Sequence, residues 1–382
     1  MPLVPMRQIL DEAAKGDYGV GAFNVNNMEQ IQAIMDAASI TDSPVIIQAS
    51  RGALKYSKMI YLKKLMEAAV EDNSGIPVAM HLDHGNSLDT CKEAIALGFT
   101  SVMIDGSLTE DGKRPRSYEE NMAVTKAVVE YAHPLGVTVE GELGCLGGIE
   151  DGHGAGMTDK EVQAHLTDPA QAEDFVEKTG VDALAVAIGT SHGAFKSTRK
   201  DPETGEVLPP ALAMERIVEI HRRMPNCHMV MHGSSSLPKV LIDLVNAFHV
   251  IERVDNDPWK ILFMGEIYDL REKFAEMALL RAIIKKDRMP GAQGIPLDQI
   301  KIGIQNGVRK INVDTDSRLV ITGIIGRVFA RQPGKFDPRD YLRPARDSND
   351  ELVASRMIAF GQAGHAGDYE PMTLKEARAL YA

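Results

Sequence analysis

Three histidines in this chain end apolar runs and precede a small residue. They are His84 in Leu82-Asp83-His84-Gly85, His192 in Thr190-Ser191-His192-Gly193 and His232 in Met231-His232-Gly233-Ser234. If those runs are parallel neighbouring strands, the imidazoles converge at one end of a sheet. Three imidazoles with an open fourth position hold a catalytic zinc. Carboxylates accompany them. Asp83 directly precedes His84. It either acts as acid or base on a metal-bound substrate or caps the strand and partners an imidazole, and position alone leaves the two readings level. His81 shares a side of that strand with Asp83 and reads as a buried or supporting histidine. Glu140 and Glu142 share a face of Val139-Glu140-Gly141-Glu142-Leu143-Gly144. Glu142, nearer the mouth, offers a further ligand oxygen, and Glu140 a paired charge for the interior. The glycine-rich stretch that follows carries Glu150-Asp151-Gly152-His153. A carboxylate on a mobile loop can swing in as a base over bound substrate, although an acidic loop taken alone is more often solvated surface.

A second set of residues suits phosphate. His192-Gly193-Ala194-Phe195-Lys196, His232-Gly233-Ser234-Ser235-Ser236 and Asn312-Val313-Asp314-Thr315-Asp316-Ser317-Arg318 each follow or end an apolar run. Backbone N–H groups beside glycine, hydroxyls and a lysine are what a phosphate needs. A Gly-Ser-Ser run alone is usually an ordinary turn.

The elements that would position these groups can be read from periodicity. Eight segments have the length and apolar content of buried strands: Tyr18–Val25, Pro44–Ser50, Pro77–His84, Ser101–Gly106, Val137–Gly144, Ala183–Gly189, His228–Gly233 and Arg309–Thr315. Helical patterns alternate with them at Met28–Ser39, Tyr61–Val70, Ser87–Ala96, Tyr118–Tyr131, Ala170–Lys178 and Ala211–Arg222. Repeated strand–helix alternation predicts an α/β fold, a (β/α)8 TIM barrel, whose active site lies at the C-terminal ends of the strands. The loops after strands seven and eight are the usual phosphate site of that barrel, which raises the Gly-Ser-Ser run above its base rate. The catalytic barrel is expected over residues 1–330 and a C-terminal arm over 331–382. A helical insertion is expected at about 247–290, between strands seven and eight. Within it Trp259–Lys286 has helical periodicity, and its expected use is to pack against a neighbouring subunit or to lengthen the barrel's outer helix, ahead of serving as a lid over the site. The tail stretch Gly334–Pro344 reads as extended and turn-rich, with helices following at Asp350–Phe360 and Leu374–Tyr381.

Composition sets the outer bounds. A net charge of −12 argues against a nucleic-acid footprint, but a local cationic pocket can still take small anions. The three cysteines, Cys91, Cys145 and Cys227, show no disulfide spacing and suggest a reducing, cytoplasmic setting. Met1-Pro2-Leu3-Val4-Pro5 lacks the pattern of a signal peptide, and no apolar run reaches the length of a membrane span.

Taken together and in order, Gly21-Ala22-Phe23-Asn24-Val25, His81-Leu82-Asp83-His84-Gly85, Glu140-Gly141-Glu142-Leu143-Gly144, Ile188-Gly189-Thr190-Ser191-His192-Gly193, His232-Gly233-Ser234-Ser235-Ser236 and Asn312-Val313-Asp314-Thr315-Asp316 resemble the class II, metal-dependent fructose-bisphosphate aldolases. Phe336–Pro344 is similar to the family's C-terminal segment, while the stretch around Asn246–Pro290 departs from its compact pattern. The resemblance implies a lyase that cleaves fructose 1,6-bisphosphate reversibly to dihydroxyacetone phosphate and glyceraldehyde 3-phosphate, in glycolysis or gluconeogenesis. It implies zinc on His84, His192 and His232, with Glu142 an alternate ligand, polarising the ketone and stabilising an enediolate. It gives Asp83 the C4 hydroxyl proton, Glu150 the C3 proton and Asn312 a contact to the enediolate. Gly193, Lys196, Gly233, Ser235, Asp314 and Thr315 would surround the C1 phosphate. Asn24, Ser50 and Arg318 would face the C6 phosphate, with Arg343 reaching it across a dimer interface. A monovalent cation, Na+ or K+, near the phosphate loops and a homo-oligomer, dimer or tetramer, also follow from the resemblance.

The chemistry stands without the family. Retro-aldol cleavage leaves negative charge on a carbonyl oxygen, which either a divalent metal or a lysine Schiff base can absorb. Lys196 and Lys310 do not read as buried amine nucleophiles, so the metal is the simpler account. Tagatose 1,6-bisphosphate and sedoheptulose 1,7-bisphosphate are the nearest rival substrates, and Asp314-Thr315-Asp316-Ser317-Arg318 resembles the fructose branch. A zinc hydrolase would need no triose-phosphate pocket, and a non-catalytic scaffold would leave Asp83 and the histidines idle.

Overall fold

The structure, a computed structural model, describes residues 3–144, 166–194, 197, 199–205, 207–247, 252–253, 260–263, 266–269, 292–332, 334–368 and 370–382. Eight parallel strands close into a barrel in the order β1 (Val20–Asn24), β11 (Val308–Val313), β7 (His228–Met231), β6 (Ala183–Val186), β5 (Thr138–Leu143), β4 (Ser101–Ile104), β3 (Val78–Gly85) and β2 (Val45–Ser50). All eight expected strands are therefore present and in the expected fold. Helices cover the outer face. Several begin on the caps their sequences supply: Asn27 accepts from Gln30 N, Ser87 from Thr90 N, and Ser117 with Glu120 forms a capping box.

Strand alternation sorts the side chains. Outward residues such as Ile47, Met80, Val139 and Leu184 pack under the helices. Inward residues at the N-terminal end, among them Ala22, Ile46, Ala79, Ala183 and Val230, are plugged by Met6, Ile9, Leu10 and Ala13 of the helix Met6–Gly16. That plug closes the bottom with apolar contact. Two and four residues beyond Ala79 on the same face come His81 and Asp83, so the polar inward positions lie at the opposite end.

Two expectations need correction. The segment Trp259–Lys286 is not helical at its start. Lys260–Phe263 (β9) and Glu266–Asp269 (β10) pair antiparallel, and Glu252–Arg253 (β8) joins them in a small separate sheet. The apolar pattern Ile261-Leu262-Phe263 and Ile267-Tyr268 is rich in β-branched and aromatic residues, which favour a strand pair over a helix at this length. The rest of that segment lies outside the described residues.

The stretch Gly334–Pro344 is the other. Only Gly334–Asp337 lie outside a helix, beginning in a turn that Lys335 N closes on Gln332 O; a single helix runs from Pro338 to Phe360. Asp337 caps it by accepting from Arg339 N, and Pro338 sits in its first turn, where a missing N–H costs nothing. Pro344 lies inside it. Burial of Ala345, Val353, Met357 and Phe360 against the helices Met28–Thr41 and Thr315–Arg331 outweighs the one lost hydrogen bond. Among the described residues no helix is long and apolar enough to cross a membrane.

Candidate active site

The three histidines meet at the C-terminal mouth of the barrel. His84 ends β3, His192 follows β6 and His232 follows β7. Their ring centroids lie 4.9 Å apart for His84 with either partner and 5.7 Å for His192 with His232. One ring nitrogen from each falls within 4.8 Å of the others. His84 takes a left-handed backbone, with φ at 51°, where the β3–β4 register slips between Leu82 and Gly85. Such an irregularity re-aims a side chain at a local conformational cost. His84 Nε2 and His232 Nδ1 stand 3.1 Å apart. Two nitrogens on one tetrahedral zinc, each about 2.0–2.1 Å from it, are roughly 3.3 Å apart, so the pair fits a shared cation. Burial pushes the His232 ring well below the ordinary imidazole range, and His84 and Lys310 add to that push. The neutral ring that results is the form a metal needs.

A buried polar layer holds this set. His84 Nδ1 lies 3.3 Å from Asp105 Oδ2, and His232 Nε2 lies 2.9 Å from Glu140 Oε1. Contacts of this kind fix the orientation of metal-bound imidazoles. Glu140 also meets Lys310 Nζ at 3.0 Å and His81 Nε2 at 3.4 Å, while His81 Nδ1 reaches Ser101 Oγ at 2.8 Å. Glu140 is thus a paired interior charge and His81 a supporting residue. Lys310 differs from its sequence reading: it is fully buried. Its ammonium group is engaged by Glu140 and by Asn312 Oδ1, 2.8 Å away, so it is a structural cation and not a free amine. Glu142 Oε2 is 3.9 Å from His84 Nδ1, and Glu142, Asp105 and His84 form a second group with donor atoms within 4.8 Å.

Asp83 is 2 % exposed and stands beside the triad. It accepts from Asn24 Nδ2 at 2.8 Å and from Asn312 Nδ2 at 3.4 Å. Burial raises its pKa, but His84, Lys310, His232 and the Asn24 hydrogen bond outweigh burial and hold it at about 2. Asp105 behaves alike: burial opposes ionisation, and His84 and Ser107 bring it to about 2. Both are therefore carboxylates at neutral pH.

Asn24, Asp83, His192, Gly193, Gly233, Ser235, Asn312, Asp314 and Thr315 line one cavity. Gly233 has φ at 62°, and a Cβ there would stand 2.4 Å from Ser191 O, so only glycine fits the turn after His232. A wider recess beside it is lined by Asn26, Ser50, Arg51, His84 and Arg318. Fourteen of the seventeen site residues read from sequence are accounted for among these groups at the mouth. Arg343 instead stands exposed on the helix Pro338–Phe360, lining neither cavity. Glu150 and Lys196 lie outside the described residues. Sequence reasoning passed over Arg51, whose Nε donates to His84 O at 2.9 Å, and Asp105. Asp105 could have been found, because it sits in the expected strand Ser101–Gly106 at the same barrel end as the histidines.

Comparison with known proteins decides the family. A model of the class-II fructose-bisphosphate aldolases matches residues 4–365. The chain belongs to that family. This aldolase, a carbon–carbon lyase of a metal-dependent class, is 49% identical over 389 residues to a fructose-bisphosphate aldolase of Nostoc sp., covering 100% of the chain and 96% of the relative. It is 48% identical over 381 residues to the fructose-bisphosphate aldolase of Giardia intestinalis, covering 100% of both. Such end-to-end coverage means that the stretch between β7 and β11 is not private to this aldolase. The solved YdjI aldolase of Escherichia coli superimposes with a TM-score of 0.65 at 25% identity, over 96% of this chain and 100% of that one. The fructose-bisphosphate aldolase of Campylobacter jejuni shares the fold with a TM-score of 0.62 at 20% identity, over 94% of each chain.

Proposed function

We propose that this aldolase cleaves fructose 1,6-bisphosphate reversibly to dihydroxyacetone phosphate and glyceraldehyde 3-phosphate with zinc on His84, His192 and His232. The observation that carries the reading is three imidazole donors within 4.8 Å of one another, beside an ionised Asp83, at a cavity lined with phosphate-type donors. Glu142 is the alternate ligand. A divalent cation there supplies a Lewis acid for the ketone oxygen and offsets the charge that bond cleavage releases.

The protein groups do the rest. Asp83, ionised and held by Asn24 and Asn312, accepts the C4 hydroxyl proton as the C3–C4 bond opens and returns it in condensation. Asn312 has its amide orientation set, because Lys310 donates to its oxygen; its Nδ2 is left to donate toward Asp83 and the reacting oxygens. Glu150 delivers a proton to C3 of the triose phosphate. Gly193, Lys196, Gly233, Ser235, Asp314 and Thr315 hold the C1 phosphate, with a Na+ or K+ ion beside them. Asn24, Ser50 and Arg318 face the C6 phosphate. Arg51, lining the recess with Ser50 and Arg318, belongs with this group. The protein works as a homodimer in the cytoplasm, with Arg343 reaching a partner's site.

Comparing kcat/KM for fructose 1,6-, tagatose 1,6- and sedoheptulose 1,7-bisphosphates tests the substrate. Preference for fructose is expected; a higher value for either rival overturns the assignment while leaving the metal chemistry intact.

A further inference from the structure

The Gly233–Leu237 loop is held locally by Ser234, whose Oγ donates to Met231 O at 2.9 Å, and also from outside. Asp316, fully buried in the first turn of the helix Thr315–Arg331, grips it from outside. Asp316 Oδ1 accepts from Leu237 N at 2.8 Å, and Oδ2 accepts from Ser236 N at 3.2 Å. The same Oδ2 accepts from Arg356 Nε at 2.9 Å. Arg356 is 5 % exposed and comes from the C-terminal helix Pro338–Phe360. The loop has real need of an anchor. Leu237 lies at φ 45°, a left-handed backbone that a leucine does not keep unaided. Gly294 presses against the loop from the other side, where a Cβ would meet Ser236 C at 2.1 Å. Ser235 points inward: its Oγ accepts from Asp314 N at 3.2 Å, which leaves the hydroxyl proton for an anion in the cavity.

We propose that Arg356, acting through Asp316, is a positioning residue that sets the enzyme's affinity for the phosphate group of its substrate. The inference rests on reading Gly233–Leu237 as the phosphate loop. A buried carboxylate that loses its guanidinium partner carries an uncompensated charge and must shift or draw in water. The two amides it holds move with it, and with them the Ser235 hydroxyl. Arg356, which lines neither cavity, thereby controls binding at the mouth.

The test measures inorganic phosphate and dihydroxyacetone phosphate binding to the zinc-loaded protein by calorimetry, alongside zinc content and steady-state cleavage. Arg356→Met is expected to weaken both ligands by about tenfold, as misplacement of a binding group does, and to raise KM more than it lowers kcat. Zinc content stays unchanged. Arg356→Lys, which keeps the charge, recovers part of the affinity. A purely structural role would lower the melting temperature and leave the phosphate affinity of the folded protein intact; that result overturns the proposal. If Arg356→Met does not fold, unaltered affinity in Arg356→Lys overturns it in the same way. Ser235→Ala separates the underlying reading. Weaker phosphate binding in Ser235→Ala without an Arg356 effect refutes the positioning role alone. Unchanged binding in both refutes the loop's assignment to phosphate.

Discussion

Replacing Asp83 by alanine separates chemistry from metal binding in this site. The carboxylate is buried, and its recorded partners are Asn24 Nδ2 at 2.8 Å and Asn312 Nδ2 at 3.4 Å. It is not one of the three imidazoles that offer donors to a shared ion. Zinc content should therefore survive Asp83→Ala. General acid–base catalysis contributes roughly 10²- to 10⁴-fold, so kcat for cleavage should fall on the order of a thousandfold, or about 4 kcal/mol of barrier. The fold should tolerate the change. Asn24 loses one acceptor, at about 1–3 kcal/mol, but its Oδ1 still takes Gln48 Nε2 at 2.6 Å. The sharpest readout is a comparison of two reactions. Exchange of the C3 proton of dihydroxyacetone phosphate does not pass through the C4 hydroxyl, so it should continue in the variant while cleavage stops. Exchange followed by NMR in deuterated solvent, with cleavage in a coupled assay, reports both. Retained turnover would remove Asp83 from proton transfer. Parallel loss of exchange and cleavage would show that it acts on the site as a whole.

Other outcomes follow from the same geometry. His192→Ala removes one of three donors and should lower zinc affinity by at least tenfold in a competition titration with a chromophoric chelator; unaltered zinc content would mean the ligand set is wrong. Glu150→Ala should slow C3 proton exchange far more than it weakens dihydroxyacetone phosphate binding, and normal exchange would move that role elsewhere. The chelated protein should also lose stability in mild acid. Burial pushes His81 and His232 well below the imidazole range, so both stay neutral when folded and take up protons on unfolding. Their contribution is complete above the unfolded value of about 6.5 and falls below it by up to about 2.7 kcal/mol per pH unit for the pair. Urea midpoints at pH 7.5 and 5.5 test this; equal midpoints, or a higher one in acid, would contradict it.

The barrel was legible because its strands are short apolar runs that end in polar residues, and because the chemistry sits where those runs stop. His84, His192 and His232 could be grouped on that basis alone. Partners that lie far apart in sequence could not. Lys310 looks like an ordinary polar residue in Arg309-Lys310-Ile311 until strand alternation turns it inward against Glu140, a contact between β11 and β5 across the barrel interior. The pairing of Asp316 with Arg356 was hidden for the same reason: Asp316 reads only as part of the stretch that ends strand eight, Arg356 lies in the expected helix Asp350–Phe360, and only the packing of Pro338–Phe360 on Thr315–Arg331 buries them together. The helix at Pro338 was missed because Pro338 and Pro344 carry a turn signal that tertiary burial overrides. At Lys260–Asp269 apolar residues fit both a helical and an alternating pattern, and β-propensity prevails over the helical period.

The central claim is that a divalent metal on three histidines drives cleavage of a sugar bisphosphate. Fructose 1,6-bisphosphate cleavage by the purified protein, before and after EDTA and again with zinc restored, tests it most directly. Activity that chelation abolishes and zinc returns is the predicted result. Full activity after complete metal removal would contradict the account and turn attention to a lysine.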